Sequence, residues 1–315
     1  MKKIANKNHL EGYLYEHELE KRTTGENSKN PGQDYIRGSI SIATDDECLN
    51  IVKHHFVFVP PVFKKSGKTN ETYTTLLNIV EGKIKTVTSD GKENAAIVRV
   101  DGSIGLNEFY SDRSGSEELV SVVRSEGGFV HVSNTLSADS KDRNRFDCDM
   151  VITGYRFKEG DPEREIPDKG FIKGCIFDDY RKTMMPVEFA LYNPQAMDYF
   201  EGLEISGSNP VFTEVKGSQI STTVVRKIEE ESAFGEAMVR EVKSTNRDWV
   251  VTWAKPDVYD WDSDNTITAE EFKKCIEERN MHLAELKQQF ESRKSSSNAG
   301  AFAANAEVKD EEFKF

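Results

Sequence analysis

The chain has 315 residues and carries 42 Lys and Arg against 55 Asp and Glu, a formal charge of −13. That sign argues against a protein coated in nucleic acid over its whole surface, because neutralising phosphates takes clustered Lys and Arg. The length predicts two domains plus a smaller piece, the 37% hydrophobic and 31% charged shares predict small cores under much solvated surface, and the lack of any apolar run of about 18 residues argues against a membrane span.

Alternation at period two dominates the chain up to about residue 255. Residues 12–19, 35–43 and 51–59 each read as strands bounded by Gly, Asp, Asn and Pro clusters. Residues 69–81 read as a short helix with Tyr73, Leu76, Leu77 and Val80 on one face and Gly82 as its stop. Further strands are expected at 95–100, 103–110 and 128–133. The pattern Ile36-Arg37-Gly38-Ser39-Ile40 is echoed by Ile172-Lys173-Gly174-Cys175-Ile176, each after a Gly-Tyr strand, at Gly12-Tyr13 and Gly154-Tyr155. Each is followed by a strand rich in aromatics, 55–59 and 187–192, and by a helix candidate, 69–81 and 194–200. The second copy closes with strands at 219–227 and 248–254.

Strand, basic-Gly strand, strand, helix, two strands is the element order of an OB barrel. The fold class expected is therefore mainly β, with tandem OB-like antiparallel barrels, an amphipathic C-terminal helix and a flexible acidic tail. The expected boundaries are 9–149 and 150–255 for the barrels, 256–294 for the helical segment and 295–315 for the tail. A single larger β-sandwich is the alternative. Beyond Pro256, Phe272, Ile276, Leu283, Leu286 and Phe290 recur at helical spacing. Residues 295–306 are small and polar, and the chain ends in Lys309-Asp-Glu-Glu-Phe-Lys-Phe315.

The acid is unevenly spread. Residues 1–150 hold 20 basic and 23 acidic side chains, 151–255 hold 14 and 18, and 256–315 hold 8 and 14. The last fifth of the chain thus holds nearly half the net charge, and the remainder can expose a basic face.

Enzyme signatures such as GxSxG, GxxxxGK[ST], HExxH and GxGxxG are missing, so no catalytic residue and no cofactor is expected. Cys48, Cys148, Cys175 and Cys275 lie far apart and read as reduced, buried thiols. The N-terminus has no apolar stretch of the secretory kind, which with the thiols predicts a cytoplasmic protein. Asp260, Asp262, Asp264 and Glu271 fall at calcium-loop positions, but a strand and Pro256 stand where an incoming helix is needed. Thr268 and Glu271 explain the same stretch as a capping box, so no metal is expected.

Nucleic-acid binding leaves a softer signature, aromatics interleaved with Lys and Arg on strands. The first copy offers Tyr13, Tyr15, Lys21, Arg22, Tyr35 and Arg37, with Arg113, Arg143 and Arg145 in loops. The second offers Tyr155, Arg156, Phe171, Lys173, Tyr180, Arg181 and Lys182. Each ring taken singly is more often core than stacking platform.

OB-type strands, a flexible linker and an acidic tip ending in Phe resemble the single-stranded DNA-binding proteins of bacteria and phages. The stretches GYLYEHELEK, DYIRGSISIATDDE and DSDNTITAEEFKK resemble phage-encoded members. The resemblance implies sequence-independent binding and protection of single-stranded DNA in replication or recombination. It also implies a tip, here Asp310, Glu311, Glu312, Phe313 and Phe315, that recruits replication and recombination proteins. Lys309 and Lys314 dilute that tip. The other reading is a structural or scaffold module of a virion or replisome that binds protein. Whether the C-terminal helix folds back on a barrel or pairs with another subunit as a homo-oligomer stays open.

Overall fold

The structure, a computed structural model, describes residues 4–112, 117–161, 166–178, 183–230, 238–260 and 267–298. The first barrel is built from β1 (Asn6–His17), β3 (Asp34–Ala43), β4 (Ile51–Val59), β5 (Ile97–Ser111) and β6 (Glu118–Ser133), with β2 (Glu20–Thr23) as a short edge. β1 pairs antiparallel with β3 and β5, β3 with β4, and β5 with β6. β4 then closes on β6 in parallel, through His54 opposite Ser125 and His55 opposite Glu126. The helix α1 (Glu71–Val80) sits between the third and fourth barrel strands, followed by a single turn, α2 (Val87–Asp90). This is the OB topology.

The second barrel repeats it with β7 (Asn144–Lys158), β8 (Lys169–Asp178), β9 (Thr183–Leu191), α3 (Pro194–Gly202), β10 (Val211–Glu230) and β11 (Met238–Ala254). β7 pairs with β8 and β10, β8 with β9, and β10 with β11, all antiparallel, and β9 meets β11 in parallel at Ala190 and Val250. The fold class read from the element order is the observed one. β7 runs through the expected boundary at 149/150, and its first residues pair antiparallel with β1, Asn6 opposite Cys148 and Leu10 opposite Asn144. One ladder therefore joins both barrels.

The echoed glycines have one physical reason. At Gly38 a Cβ would meet the Glu18 carbonyl, and at Gly174 the Val151 carbonyl. In each barrel the second strand presses on the backbone of the first stretch of chain, and only a residue without a side chain fits.

Alternation along the strands places Leu10, Leu14, Ile36, Ile40, Ile42, Val98 and Val100 inside the first barrel, plugged by Tyr73, Leu76 and Ile79 of α1. Phe146, Met150, Ile152, Ile172, Ile176 and Phe189 fill the second, plugged by Met197 and Phe200 of α3. Ile104 and Leu106, from the β5–β6 hairpin of the first barrel, also belong to the second core. In the other direction, β10 hydrogen-bonds to the first barrel: Asn50 donates to the Gln219 carbonyl, and the Ser221 amide donates to Asn50. Each barrel's long hairpin thus reaches across to the other.

These hairpins differ most from expectation. Residues 95–100 and 103–110 form one strand, with a register shift between Asp101 and Ser103, and the strand expected at 128–133 begins at Glu118.

The helix α4 (Ala269–Asn298) docks on its own chain. Thr268 and Glu271 cap it reciprocally, Thr268 N donating to Glu271 Oε2 at 3.0 Å and Glu271 N to Thr268 Oγ1 at 3.1 Å. Ile267 and Cys275 are buried against Phe177, Met184 and Phe212 of the second barrel, with Phe272 and Ile276 beside them. Farther along, Arg279 grips Glu108 of β5 with both amino nitrogens, at 2.5 and 2.9 Å. Cys148 and Cys275 are buried, whereas Cys48 and Cys175 are half-buried, so the expectation of four buried thiols holds for two. Among the described residues no helix is long and apolar enough to cross a membrane.

Candidate nucleic-acid interface

Among the described residues, the outer face of β7, β8 and β9 brings aromatic and cationic side chains together. Phe171 on β8 stands opposite Arg156 of β7 and Ala190 of β9. The Arg156 guanidinium lies 3.7 Å above the Phe171 ring centre, and Lys169 Nζ lies 4.9 Å from the same ring and 5.2 Å from that of Tyr192. Outward residues on a strand recur at every second position, which puts Lys169, Phe171 and Lys173 in line. Lys173 is exposed. Each cation except Lys173 is held by a carboxylate: Arg156 by Glu188 at 2.8 Å, and Lys169 by Asp248 at 2.7 Å. Burial opposes the charge on Lys169, but Asp248 and Tyr192 outweigh it and raise its pKa.

This face opens into a cleft of about 390 Å³ between the barrels. One wall carries Lys53 and His55 from β4 and Arg124 from β6; the other carries Phe171, Ala190 and Trp249, with Arg247 of β11. Lys53 contacts Glu18 at 2.6 Å and Arg124 contacts Glu126 at 2.7 Å. Among the described residues no carboxylate pairs with Arg247. Burial, then the charges of Arg124, Lys53 and Arg247, push the His55 imidazole down to about 4, with Glu18 opposing.

The other expected site residues are scattered. Tyr13 and Tyr15 are half-buried on β1, Tyr13 beneath Lys92 at 5.1 Å. Lys21 and Arg22 sit on the edge strand β2, paired with Asp34 and Glu20 at 2.8 Å, and Arg37 approaches Glu20 at 3.7 Å. Charged residues on a short edge strand also guard it against pairing with another chain. Arg145 is exposed near Asp142.

Three expectations need correction. Tyr35 is buried, its ring stacked at 4.6 Å on Phe58 of the neighbouring strand β4. Arg143 is buried and hydrogen-bonded to the carbonyls of Ser137 and Ala138 and to Asp46, which ties down the link between the barrels. Tyr155 packs its ring on the second core, and its hydroxyl has no partner among the described residues. Arg113, Tyr180, Arg181 and Lys182 lie outside the described residues, as do Asp262 and Asp264 and the whole tip, Asp310, Glu311, Glu312, Phe313 and Phe315. Asp260 and Glu271 are described, and Glu271 is engaged as the helix cap.

Lys53, His55, Arg124, Lys169, Tyr192 and Arg247 were not singled out from the sequence. Lys169 was within reach, since it shares the alternation of Phe171 and Lys173. The rest come together only through the meeting of the two barrels.

The family model described as YorF matches residues 5–289. No curated protein matches the chain. Two solved structures of the single-stranded DNA-binding protein from Thermus aquaticus are similar in part. A deletion mutant has 9% identity and a TM-score of 0.44 over 83% of this chain and 98% of that one. The wild-type protein has 9% identity and a TM-score of 0.43 over 80% and 93%.

Proposed function

The chain belongs to the YorF family, and for this member we propose sequence-independent binding and protection of single-stranded DNA. The observation that carries the reading is the Phe171 ring on the second strand of an OB barrel, flanked by Lys169 from the same strand and Arg156 from the first; the second strand contributes to the face such barrels use for oligonucleotides. A base stacks on an aromatic ring or on a guanidinium plane whatever its identity, while the cations track phosphate. The binding set is then Phe171, Arg156, Lys169, Lys173 and Tyr192, extended by the first-barrel residues Tyr13, Tyr15, Lys21, Arg22 and Arg37. Arg113, Arg145, Tyr180, Arg181 and Lys182 join it.

The role extends to replication or recombination of a phage genome in the host cytoplasm. The tip residues Asp310, Glu311, Glu312, Phe313 and Phe315 recruit partner proteins there, and the tethered acid competes with phosphate for the binding face.

The test is a titration of fluorescent oligo-dT at two salt concentrations. Binding is expected to be tight, salt-sensitive and tolerant of sequence, and equal or tighter when the chain is cut after Ser295. Phe171→Ala is expected to weaken it by about 1 to 3 kcal/mol with the melting temperature nearly unchanged. No binding at low salt by either form of the chain overturns the proposal.

A further inference from the structure

The carboxylates beside the Phe171 face leave a question of where backbone phosphate is held. Arg156 and Lys169 are each engaged by an acid. In the adjoining cleft, three cations from three strands, Lys53, Arg124 and Arg247, line the walls around one half-buried imidazole, His55; Lys53 and Arg124 are paired with Glu18 and Glu126, and among the described residues no carboxylate pairs with Arg247. Cations on both walls keep that imidazole neutral with the cleft empty, and an anion seated among them favours its charged form.

We propose that the cleft is a phosphodiester subsite, in which Lys53, His55, Arg124 and Arg247 hold one backbone phosphate of a strand passing between the barrels, and that His55 takes up a proton as the phosphate arrives. This rests on the single-stranded DNA reading above and adds a place and a pH dependence to it.

The charged neighbours of His55 come from every element around it. Lys53 shares its strand, and Glu18 approaches from the turn after β1, held by Lys53 and by the Ser39 hydroxyl at 3.2 Å. Ser39 itself stands opposite His55 on β3. Glu126 is its partner across the parallel seam and is held by Arg124. Arg247 comes from β11. At the far side of the cleft, Glu188 and Asp248 are engaged by Arg156 and Lys169. The acids nearest the imidazole are thus committed to cations, and burial together with Arg124, Lys53 and Arg247 keeps His55 neutral, with its pKa pushed down to about 4. A bound phosphate reverses the local sign. If it restores His55 to the ordinary range near 6.5, binding becomes about tenfold tighter at pH 5.5 than at pH 8.

The experiment measures oligo-dT affinity of the full chain across that pH range and across salt, for wild type, His55→Gln, Arg247→Gln and Lys53→Gln, with melting temperatures for each. Wild type is expected to tighten about tenfold from pH 8 to pH 5.5, and His55→Gln to lose that tightening. Arg247→Gln or Lys53→Gln is each expected to flatten the slope of log affinity against log salt by about 0.7.

If wild type binds but His55→Gln keeps the full pH dependence, or both cation variants keep the wild-type salt slope, the subsite is overturned while the binding function stands. If wild type fails to bind at all, the function itself falls. Inorganic phosphate is the control for a free anion: competition beyond that of chloride at matched ionic strength would overturn the phosphodiester assignment. Arg247 is exposed on β11, so its variant keeps the test open should Lys53→Gln fail to fold.

Discussion

Tyr35 and Phe171 occupy corresponding places, each just before the echoed Ile of the second strand of its barrel, and the structure gives them opposite fates. Tyr35 is covered by Phe58 and belongs to the interior, whereas Phe171 lines an open cleft beneath Arg156. Tyr35→Ala is therefore expected to lower stability by about 3 kcal/mol in denaturant unfolding, as loss of a buried ring does, and to leave oligonucleotide affinity intact once the protein is folded. Alternation told which residues share a face of a strand. It could not tell which ring a side chain of the neighbouring strand covers, and that decides between platform and core. Arg143 has the same history: a loop cation by sequence, it is held in place by two carbonyls and Asp46.

His54 shows a different limit at this scale. It is fully buried at the seam where β4 meets β6, donating from Nε2 to the Gly127 carbonyl and accepting at Nδ1 from the Ser125 hydroxyl at 2.5 Å. Ser125 in turn accepts from Asn8, and Asn8 accepts from Gln219 of the second barrel. This chain uses the neutral ring, and burial pushes its pKa down to about 3. The unfolded chain binds a proton first as pH falls, so the stabilisation is complete above about 6.5 and is lost below it. Unfolding free energy is expected to be about 2 kcal/mol smaller at pH 5 than at pH 8 from this residue alone. Denaturant titrations at both pH values check it, with His54→Gln reducing the difference.

At the level of elements, the strands and helices of the barrel bodies were legible because each has one wet face and one dry one. Residues 51–59 were read at their observed limits, and 35–43 and 69–81 within two residues of theirs. In the β5–β6 hairpin, 103–110 was read as a strand while the stretch of β6 before residue 128 was not, and that hairpin's dry residues Ile104 and Leu106 are dry only against the other barrel. The site inherits the same blind spot, because the cleft lies where those hairpins cross. The C-terminal helix was legible as an amphipathic helix, and its docking was not. Its clamp is the bidentate pair between Arg279 and Glu108, both largely shielded from water. A double-mutant cycle with Arg279→Met and Glu108→Gln is expected to return a coupling of about 1 to 3 kcal/mol. A coupling near zero would mean that the helix leaves the hairpin in solution.

For the whole molecule, the −13 of the sequence describes an average. Its acid sits partly in the last 60 residues and partly as partners that hold the cations of the candidate face. The barrels share the β1–β7 ladder, a core that includes residues of both, and the Asn8–Gln219 link. They are expected to unfold together, in one calorimetric transition whose enthalpy agrees with the van't Hoff value. Two resolved transitions would show that the barrels are energetically separate.

The crossed hairpins also bear on the order of events during synthesis. Ile104 and Leu106 have their packing partners in strands that lie beyond residue 145, and Asn8 meets its donor, the Gln219 amide, only when residue 219 has been made. Contacts separated by so much chain are slow to form. A chain emerging at roughly 5 to 20 residues per second therefore holds its first barrel unfinished for several seconds, with an apolar strand face waiting for the second half of the protein.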